Sequence, residues 1–184
     1  VDNSTGYVAN ETDIAAISLS NGNVDWRYEN PAGGFVTDLT VGEGSVFFGV
    51  QGQSDQTTVY ALDAATGAED WTYDAPTQAS GIAVENGTVL ATGEDQSYSN
   101  DFVGVWIAAL ETDGTERWSE TIPPDNGFKY DSDEPPVISN GKAYVPVKKA
   151  EADGITIDDY AYVYAYDVTD GTQSWVANYT SDVS

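Results

Sequence analysis

The stretch VYALDAATGAEDW, which runs from Val59 to Trp71, joins an apolar run to an aspartate, a Thr-Gly turn and a tryptophan. Similar stretches occur at three other places: IAAISLSNGNVDW at 14–26, IAALETDGTERW at 107–118 and VYAYDVTDGTQSW at 163–175. In every copy a glycine precedes the tryptophan by four residues, and the third copy is one residue shorter than the others. A pattern repeated in one register belongs to a repeated structural unit, so the sequence predicts a repeat architecture.

A second pattern lies upstream of three of these tryptophans. LTVGEGSVFFGV (39–50), IAVENGTVLATG (82–93) and PVISNGKAYVPV (136–147) each read as an apolar strand, a glycine turn and a second apolar strand. The Asn-Gly pairs at 86–87 and 140–141 are typical of tight β-hairpins. Each unit therefore contains four short strands, A to D, and ends on the tryptophan strand. The tryptophans are 45, 47 and 57 residues apart, which is the size of a β-propeller blade.

These units predict an all-β fold in which residues 1–184 form a single β-propeller segment of four-stranded antiparallel blades. The expected units are a partial blade followed by three blades: 1–31, 32–76, 77–123 and 124–184. The first unit lacks nearly all of its strand A, because GYVAN (6–10) aligns with strand B of the second unit. The segment then belongs to a seven- or eight-bladed ring, or is completed by association of two copies; a closed four-bladed ring suits the pattern less well.

Strand C of the second unit shows why the repeated residue types are needed. Side chains alternate between the two faces of a strand, so Val59, Ala61 and Asp63 share one face, while Tyr60 and Leu62 share the other. The small alanine leaves room for a bulky neighbour. The glycine of the following turn permits a positive φ, and the aspartate can accept hydrogen bonds from turn amides. The pattern therefore indicates a structural joint.

The shared pattern Ala-x-Asp-x-x-x-Gly-x-x-x-Trp resembles the tryptophan-docking motif of the PQQ-like (pyrroloquinoline-quinone-like) propeller repeats. That superfamily includes quinoprotein alcohol dehydrogenases and the outer-membrane assembly lipoprotein BamB. The second and fourth copies carry the motif, whereas Ser18 and Glu111 replace its aspartate in the first and third copies. The resemblance implies that each tryptophan packs between adjacent blades. It carries no residue of this chain onto the quinone and calcium site of the dehydrogenases.

The charge of the chain excludes several classes of partner. There are 31 acidic and 6 basic residues, giving a formal net charge of −25 that is spread along the sequence. Such a charge repels nucleic-acid phosphates and anionic membrane surfaces. An evenly acidic surface is typical of proteins adapted to molar salt, in which the Debye length falls to about 3 Å. We therefore expect a halophilic, archaeal source.

The residue types that are missing limit the chemistry further. The chain contains no cysteine, so it has no disulfide and no thiolate metal site. It also contains no histidine, which is the commonest general base. No apolar run is long enough to predict a transmembrane helix. The sequence assigns no catalytic, cofactor-binding or metal-binding residue.

Two clusters of acidic residues are the best candidates for a metal site. One long connection carries oxygen ligands of the type that suits Ca²⁺: Asp125, Asn126, Asp131, Asp133 and Glu134. A weaker cluster follows in the next connection: Asp153, Asp158 and Asp159. Neither has the spacing of an EF-hand, and clusters of this size are expected in so acidic a chain. Lys148 and Lys149 are predicted to form surface ion pairs with neighbouring acids, which contribute little stability.

The long B–C and D–A connections are predicted to form any binding face, because loops on a rigid scaffold carry function. Several aromatic residues lie in or near them: Tyr98, Phe102, Trp106, Phe128 and Tyr130. Trp106 is expected to pack within strand C of its blade. Four sequons permit N-glycosylation in an exported protein: Asn3, Asn10, Asn86 and Asn178.

These observations predict a non-catalytic PQQ-like propeller scaffold at the cell surface of a halophile, extracellular or anchored to a membrane. Its partners would be other proteins, or a second copy bound through the terminal blades. Two alternatives fit the same sequence features: a fragment of a quinoprotein dehydrogenase, and a sensor domain of a larger signalling protein. A fold alone does not choose between them.

Overall fold

The computed structural model describes residues 4–10, 12–31, 33–51, 57–77, 79–95, 103–125, 128–132, 134–151 and 160–179. These residues form sixteen β-strands in four antiparallel sheets. In these ranges no helix has the length and apolar character needed to cross a membrane. The predicted all-β class is confirmed.

Each sheet is built from strands that follow one another along the chain, as in a meander. The first sheet has three described strands: β1 (Thr5–Ala9), β2 (Asp13–Ser18) and β3 (Val24–Glu29). The second sheet has four strands: β4 (Phe35–Gly42), β5 (Ser45–Gln51), β6 (Thr57–Asp63) and β7 (Glu69–Ala75). The third sheet repeats this order: β8 (Ala79–Glu85), β9 (Thr88–Asp95), β10 (Gly104–Glu111) and β11 (Glu116–Ile122).

The fourth sheet differs from the others in its first strand, strand A. Its strands are β12 (Phe128–Asp131), β13 (Val137–Ser139), β14 (Lys142–Glu151), β15 (Tyr160–Asp167) and β16 (Gln173–Tyr179). Strand A is divided into β12 and β13, which both pair with β14. The interruption contains Pro135 and Pro136, and proline cannot donate to a strand ladder. Pro146 of β14 lies opposite this gap, so its missing amide hydrogen removes no pair from β12 or β13.

The sheets pack face to face, and a separate apolar cluster fills each of the three joints between them. The first cluster contains Ile14 and Phe48, the second contains Phe47 and Trp106, and the third contains Ile107 and Val145. Middle strands bury both faces in this arrangement. In β5, Phe47 therefore faces the third sheet, while Phe48 faces the first. Burying one such side chain contributes about 1.5–3 kcal/mol.

The repeated alanine lies directly opposite the tryptophan of its own sheet. The four pairs are Ala16–Trp26, Ala61–Trp71, Ala109–Trp118 and Ala165–Trp175. All four alanines are fully buried, and the register shifts immediately after each alanine. Such bulges re-aim side chains. The small alanine therefore leaves space for the large ring of the tryptophan on the neighbouring strand of the same sheet.

The turn between strands C and D is held by the residue types that the sequence predicts. Asp63 Oδ1 accepts hydrogen bonds from the Thr66 amide at 2.7 Å and from the Thr66 hydroxyl at 2.6 Å. Gly67 has φ 72°, and its amide donates to the Asp63 carbonyl at 2.8 Å. In the shorter third copy, the Gly114 amide reaches Glu111 instead, only three residues back. The deletion therefore tightens the turn by one residue.

Thr66→Val is expected to raise the pKa of Asp63 toward its ordinary value of 3.8, because the Thr66 hydroxyl is the largest cause of its lowered pKa. A lowered pKa in the folded state stabilises the fold at pH above 3.8, and this contribution is lost as the pH falls through the folded pKa. Carbon-13 NMR of the carboxyl group measures the shift. Thr169→Val is the control. The pKa of Asp167 is lowered more by the Thr169 backbone amide, which the substitution keeps, than by the Thr169 hydroxyl, so this pKa should change less. An unchanged Asp63 pKa would contradict this account.

Candidate functional site

The tryptophans and glycines of the repeated motif form the joints between sheets. The Trp71 indole N–H donates to the Thr112 carbonyl of the next sheet at 2.8 Å. A Cβ atom placed on Gly114 would lie 2.8 Å from Trp71 Cδ2. Glycine is therefore needed at position 114 for two reasons: the Trp71 ring approaches closely, and the backbone has a positive φ of 85°. This ring packs on the turn of the following sheet.

The same joint occurs three times. Trp26 donates to the Ala64 carbonyl at 3.0 Å, and Trp118 donates to the Val168 carbonyl at 2.9 Å. A Cβ atom on Gly67 or Gly171 would lie within 2.6–2.8 Å of the corresponding indole. Three tryptophans thus have structural partners in the next sheet, which is the arrangement that the motif resemblance implies.

Glu111, the departure of the third copy, strengthens its joint. Its carboxylate pairs with Arg117 at 2.7 Å. The Arg117 guanidinium also donates to the Val168 carbonyl at 3.0 Å, which is the same oxygen that the neighbouring indole reaches. An acid that departs from the motif therefore positions a cation across the joint, and a charge-assisted hydrogen bond is stronger than a neutral one.

The first strands of the second and third sheets, β4 and β8, carry a second set of hydrogen bonds between sheets. The Thr37 hydroxyl donates to the Ala79 carbonyl at 2.5 Å, and the Ser80 hydroxyl donates to the Ser132 carbonyl at 2.8 Å. The Asp38 carboxylate accepts the Ile82 amide of the next sheet at 2.7 Å. Burial raises the pKa of Asp38, and two backbone amides partly offset that effect. These polar groups are used in joining the sheets.

Lys149 lies in a cluster of tyrosines at the third joint. Its ammonium is 2.5 Å from Asp125 Oδ2 and lies 5.8 and 5.9 Å from the ring centres of Tyr130 and Tyr162. Burial lowers the pKa of Lys149, but the hydrogen bond and charge of Asp125 outweigh burial and raise it. The pKa of Asp125 is lowered in return, first by Lys149 and then by Tyr130. The pair therefore remains charged at neutral pH.

The predicted lysine ion pairs form, but one of them is not on the surface. Lys148 lies 3.6 Å from Glu134, and both side chains are more than half exposed, as expected for a weak pair. The Lys149 side chain is only 11% exposed, so the expectation of a surface pair is wrong there. The sequence could not show this, because burial of Lys149 results from aromatic side chains on two other strands.

Two cavities that are lined by described residues open in the joints. The first, of about 330 Å³, lies between β7 and β10 and is lined in part by Tyr73, Pro76 and Trp106. The second, of about 450 Å³, lies between β11 and β15, beside the Lys149 cluster. Its lining includes two acids, three tyrosines and a glutamine: Glu120, Asp125, Tyr130, Tyr164, Tyr166 and Gln173. Both volumes fall in the range of small-molecule sites.

Trp106 packs where it was expected. It lies in β10, is 2% exposed, and its indole N–H donates to the Thr77 hydroxyl at 3.0 Å. Of the sequons, Asn86 lies in a hairpin turn with φ 50°, and Asn178 is an exposed residue of β16. Asn10 uses its side-chain carbonyl to accept the amides of Thr12 and Asp13.

The described acids of the candidate calcium cluster are engaged elsewhere. Asp125 and Glu134 pair with lysines, and Asp131 lies opposite Lys148 in the strand ladder. Among the described residues, no three acidic, histidine or cysteine side chains converge on one point. The other singled-out positions lie outside the described residues: Asn3, Tyr98, Phe102, Asn126, Asp133, Asp153, Asp158, Asp159 and the side chain of Phe128.

Four-stranded meander sheets that follow one another along the chain and pack face to face have the form of β-propeller blades. The family model described as outer membrane protein assembly factor BamB matches residues 1–151. The chain belongs to this family of PQQ-like propeller proteins. A search of curated protein sequences gave no match.

Solved structures show the same fold. A quinohemoprotein alcohol dehydrogenase, ADHIIG from Pseudomonas putida HK5, matches 98% of this chain with 33% of its own, at 17% identity and a TM-score of 0.71. The quinohemoprotein alcohol dehydrogenase of Comamonas testosteroni matches 96% of this chain with 34% of its own, at 17% identity and a TM-score of 0.64. BamB from Moraxella catarrhalis matches 95% of this chain with 61% of its own, at 17% identity and a TM-score of 0.53. The chain thus spans about one third of the length of the dehydrogenases.

Proposed function

We propose that this chain is a non-catalytic propeller scaffold that binds protein partners, including a second copy, through its terminal sheets. The observation that carries this proposal is Trp175. Its three counterparts pack on a glycine turn of the next sheet, whereas Trp175 is 45% exposed. Val137, which is 56% exposed, lies on the same face, because its ladder partner Tyr144 contacts the Trp175 ring. A large apolar pair on an outer face is the kind of surface that a partner covers.

The first sheet presents the matching half of such a joint. No described atom lies within 4 Å of a Cβ placed on Gly22, although Gly22 has φ 74° like its counterparts. Leu19 and Val8 are 60% and 48% exposed on the same sheet. The two end surfaces therefore differ in the way that a head-to-tail contact requires.

Sedimentation velocity at high salt tests the association. We expect the wild-type chain to associate with increasing concentration, and Trp175→Ala to remain monomeric with an unchanged circular dichroism spectrum. Leu19→Asp, on the opposite end surface, is expected to act in the same way. A chain that is well folded and strictly monomeric at every concentration would contradict the proposal.

We also propose an exported, cell-surface location in a halophilic archaeon. Many acids lie on exposed positions of the described sheets: Asp25, Glu29, Glu69, Asp70, Asp74, Glu116 and Glu120. The melting temperature is then expected to fall as salt is lowered from molar to millimolar concentration, because self-repulsion is no longer screened. Equal melting temperatures at both concentrations would contradict salt adaptation.

A fragment of a quinoprotein dehydrogenase is the second candidate, favoured by the dehydrogenases among the similar structures. Two polar side chains of β4 and β8, Asp38 and Ser80, are already bonded to neighbouring sheets, which favours a structural role for them over binding a quinone or calcium. Titration with the quinone and calcium, followed by absorbance, distinguishes the two candidates: saturable binding would support the dehydrogenase. A sensor domain remains an alternative that the sequence of the full gene would test.

A further inference from the structure

A repeated tyrosine–glutamate hydrogen bond links the two sheets at each of the first two joints. The Tyr28 hydroxyl donates to Glu69 Oε2 at 2.5 Å, and the Tyr73 hydroxyl donates to Glu116 Oε2 at 2.7 Å. In each case the tyrosine lies two residues after one joint tryptophan, and the glutamate lies two residues before the next. We call this pair the Tyr–Glu clasp.

The third joint has lost the clasp. The equivalent positions are Glu120 and Gln173, and both side chains are exposed. Within the described part of the chain, neither side chain has a hydrogen bond or ion pair. The cavity of about 450 Å³ lies at this place and is lined by both residues. The repeat is therefore broken where the larger cavity opens.

The walls of this cavity combine a carboxylate with tyrosine rings. Tyr166 is 5% exposed, and its pKa is raised by burial, by Tyr164 and by the charge of Glu120. Tyr164 lies on the same face of β15, two residues earlier. Aromatic faces and carboxylates attract cations, whereas an anion would meet Glu120 and the net charge of −25.

The adjoining cluster already holds an ammonium group in this way. Lys149 Nζ contacts Asp125 and lies over the rings of Tyr130 and Tyr162. Glu120 with Tyr164 and Tyr166 offers the same chemistry, and in the described chain no lysine or arginine pairs with Glu120. One end of the joint thus carries its own cation, while the other end has the groups to receive one.

We propose that the cavity between β11 and β15 binds a primary alkylammonium group, with Glu120 as its counter-ion and the tyrosines as its walls. The group could belong to a free diamine or to a lysine side chain of a partner protein. This site lies between the third and fourth sheets, so it does not depend on association through the outer faces of the terminal sheets.

NMR titration of the wild-type chain at constant ionic strength tests the site with three probes. They are 1,4-diaminobutane, Nα-acetyl-lysine methylamide and the neutral 1,4-butanediol. We expect saturable shifts of the Gln173 side-chain amide with at least one amine and none with the diol. Binding of the diamine alone identifies a free diamine, and binding of the lysine derivative identifies a side chain. Equal binding of the diol would overturn the proposal.

Two variants connect binding to the cavity. Glu120→Gln is expected to weaken amine binding about tenfold, because it removes a charged hydrogen-bond partner. Asp70→Asn is the matched control, since it removes one exposed charge from β7, outside the cavity lining. Equal weakening by both variants would overturn the proposal in favour of general charge attraction.

The double variant Glu120→Tyr, Gln173→Glu rebuilds the Tyr–Glu clasp of the first two joints. We expect it to remain folded and to lose amine binding, because the new ring fills the cavity. Unchanged affinity in a folded double variant would show that the amines bind elsewhere.

Discussion

Gly67→Ala is expected to lower the free energy of unfolding by about 3 kcal/mol. The residue has φ 72°, and an L-residue in the left-handed region costs about 1–2 kcal/mol. The new Cβ would also lie 2.6 Å from Trp26 Cδ2. That contact is too short for a real Cβ, so the indole must shift, and overpacking of this kind costs about 1–3 kcal/mol.

Gly22→Ala is the matched control for this prediction. Gly22 occupies the same position in the first sheet with φ 74°, but nothing described lies within 4 Å of its Cβ position. It should therefore show only the conformational cost of about 1–2 kcal/mol. Denaturant unfolding at fixed salt, followed by tryptophan fluorescence, measures both variants. Equal losses would mean that packing of Trp26 on the glycine contributes nothing.

Trp118→Ala is expected to cost about 3–5 kcal/mol, the usual range for removing a buried tryptophan. Trp118 is 9% exposed and packs in the third apolar cluster. Its indole N–H also loses the hydrogen bond to the Val168 carbonyl. Since domains are only about 5–15 kcal/mol stable, this single change should remove much of the stability.

Trp175→Ala provides the comparison on the same motif position. That ring is 45% exposed, so its loss should cost less than about 1 kcal/mol, as for most surface substitutions. The measurement is the midpoint of denaturant unfolding at a protein concentration too low for association. Similar destabilisation by the two substitutions would show that the joints do not stabilise the fold in proportion to burial.

The period and residue types of the repeat were enough to predict the all-β fold. Alternation in β6 correctly separated Val59 and Ala61 from Tyr60 and Leu62, because a strand offers only two faces. The division of strand A in the fourth sheet was missed, although Pro135 and Pro136 were the available signal. A motif alignment assumes equal strands and overlooks such interruptions.

The candidate site was harder to predict than the fold. Lys149 reads as a surface cation beside Lys148, yet only Lys149 is covered by tyrosines from β12 and β15. Glu120 was one acid among 31, and its position became informative once it was seen to replace the tyrosine of the Tyr–Glu clasp. Alignment of the positions two residues after each tryptophan could have shown that change.

The sequence by itself determined the repeated unit, its four strands and the turn between strands C and D. These features depend on residues close in the chain, whose spacing is visible in one copy and verified by the others. Only the tertiary structure decided which glycine receives which tryptophan, which lysine is buried and where the third joint opens. The tryptophan joints link residues as far apart as 38 and 50 positions, which meet only when whole sheets pack together. Lys149 is covered by tyrosines of β12 and β15, the strands on either side of β14 in its own sheet.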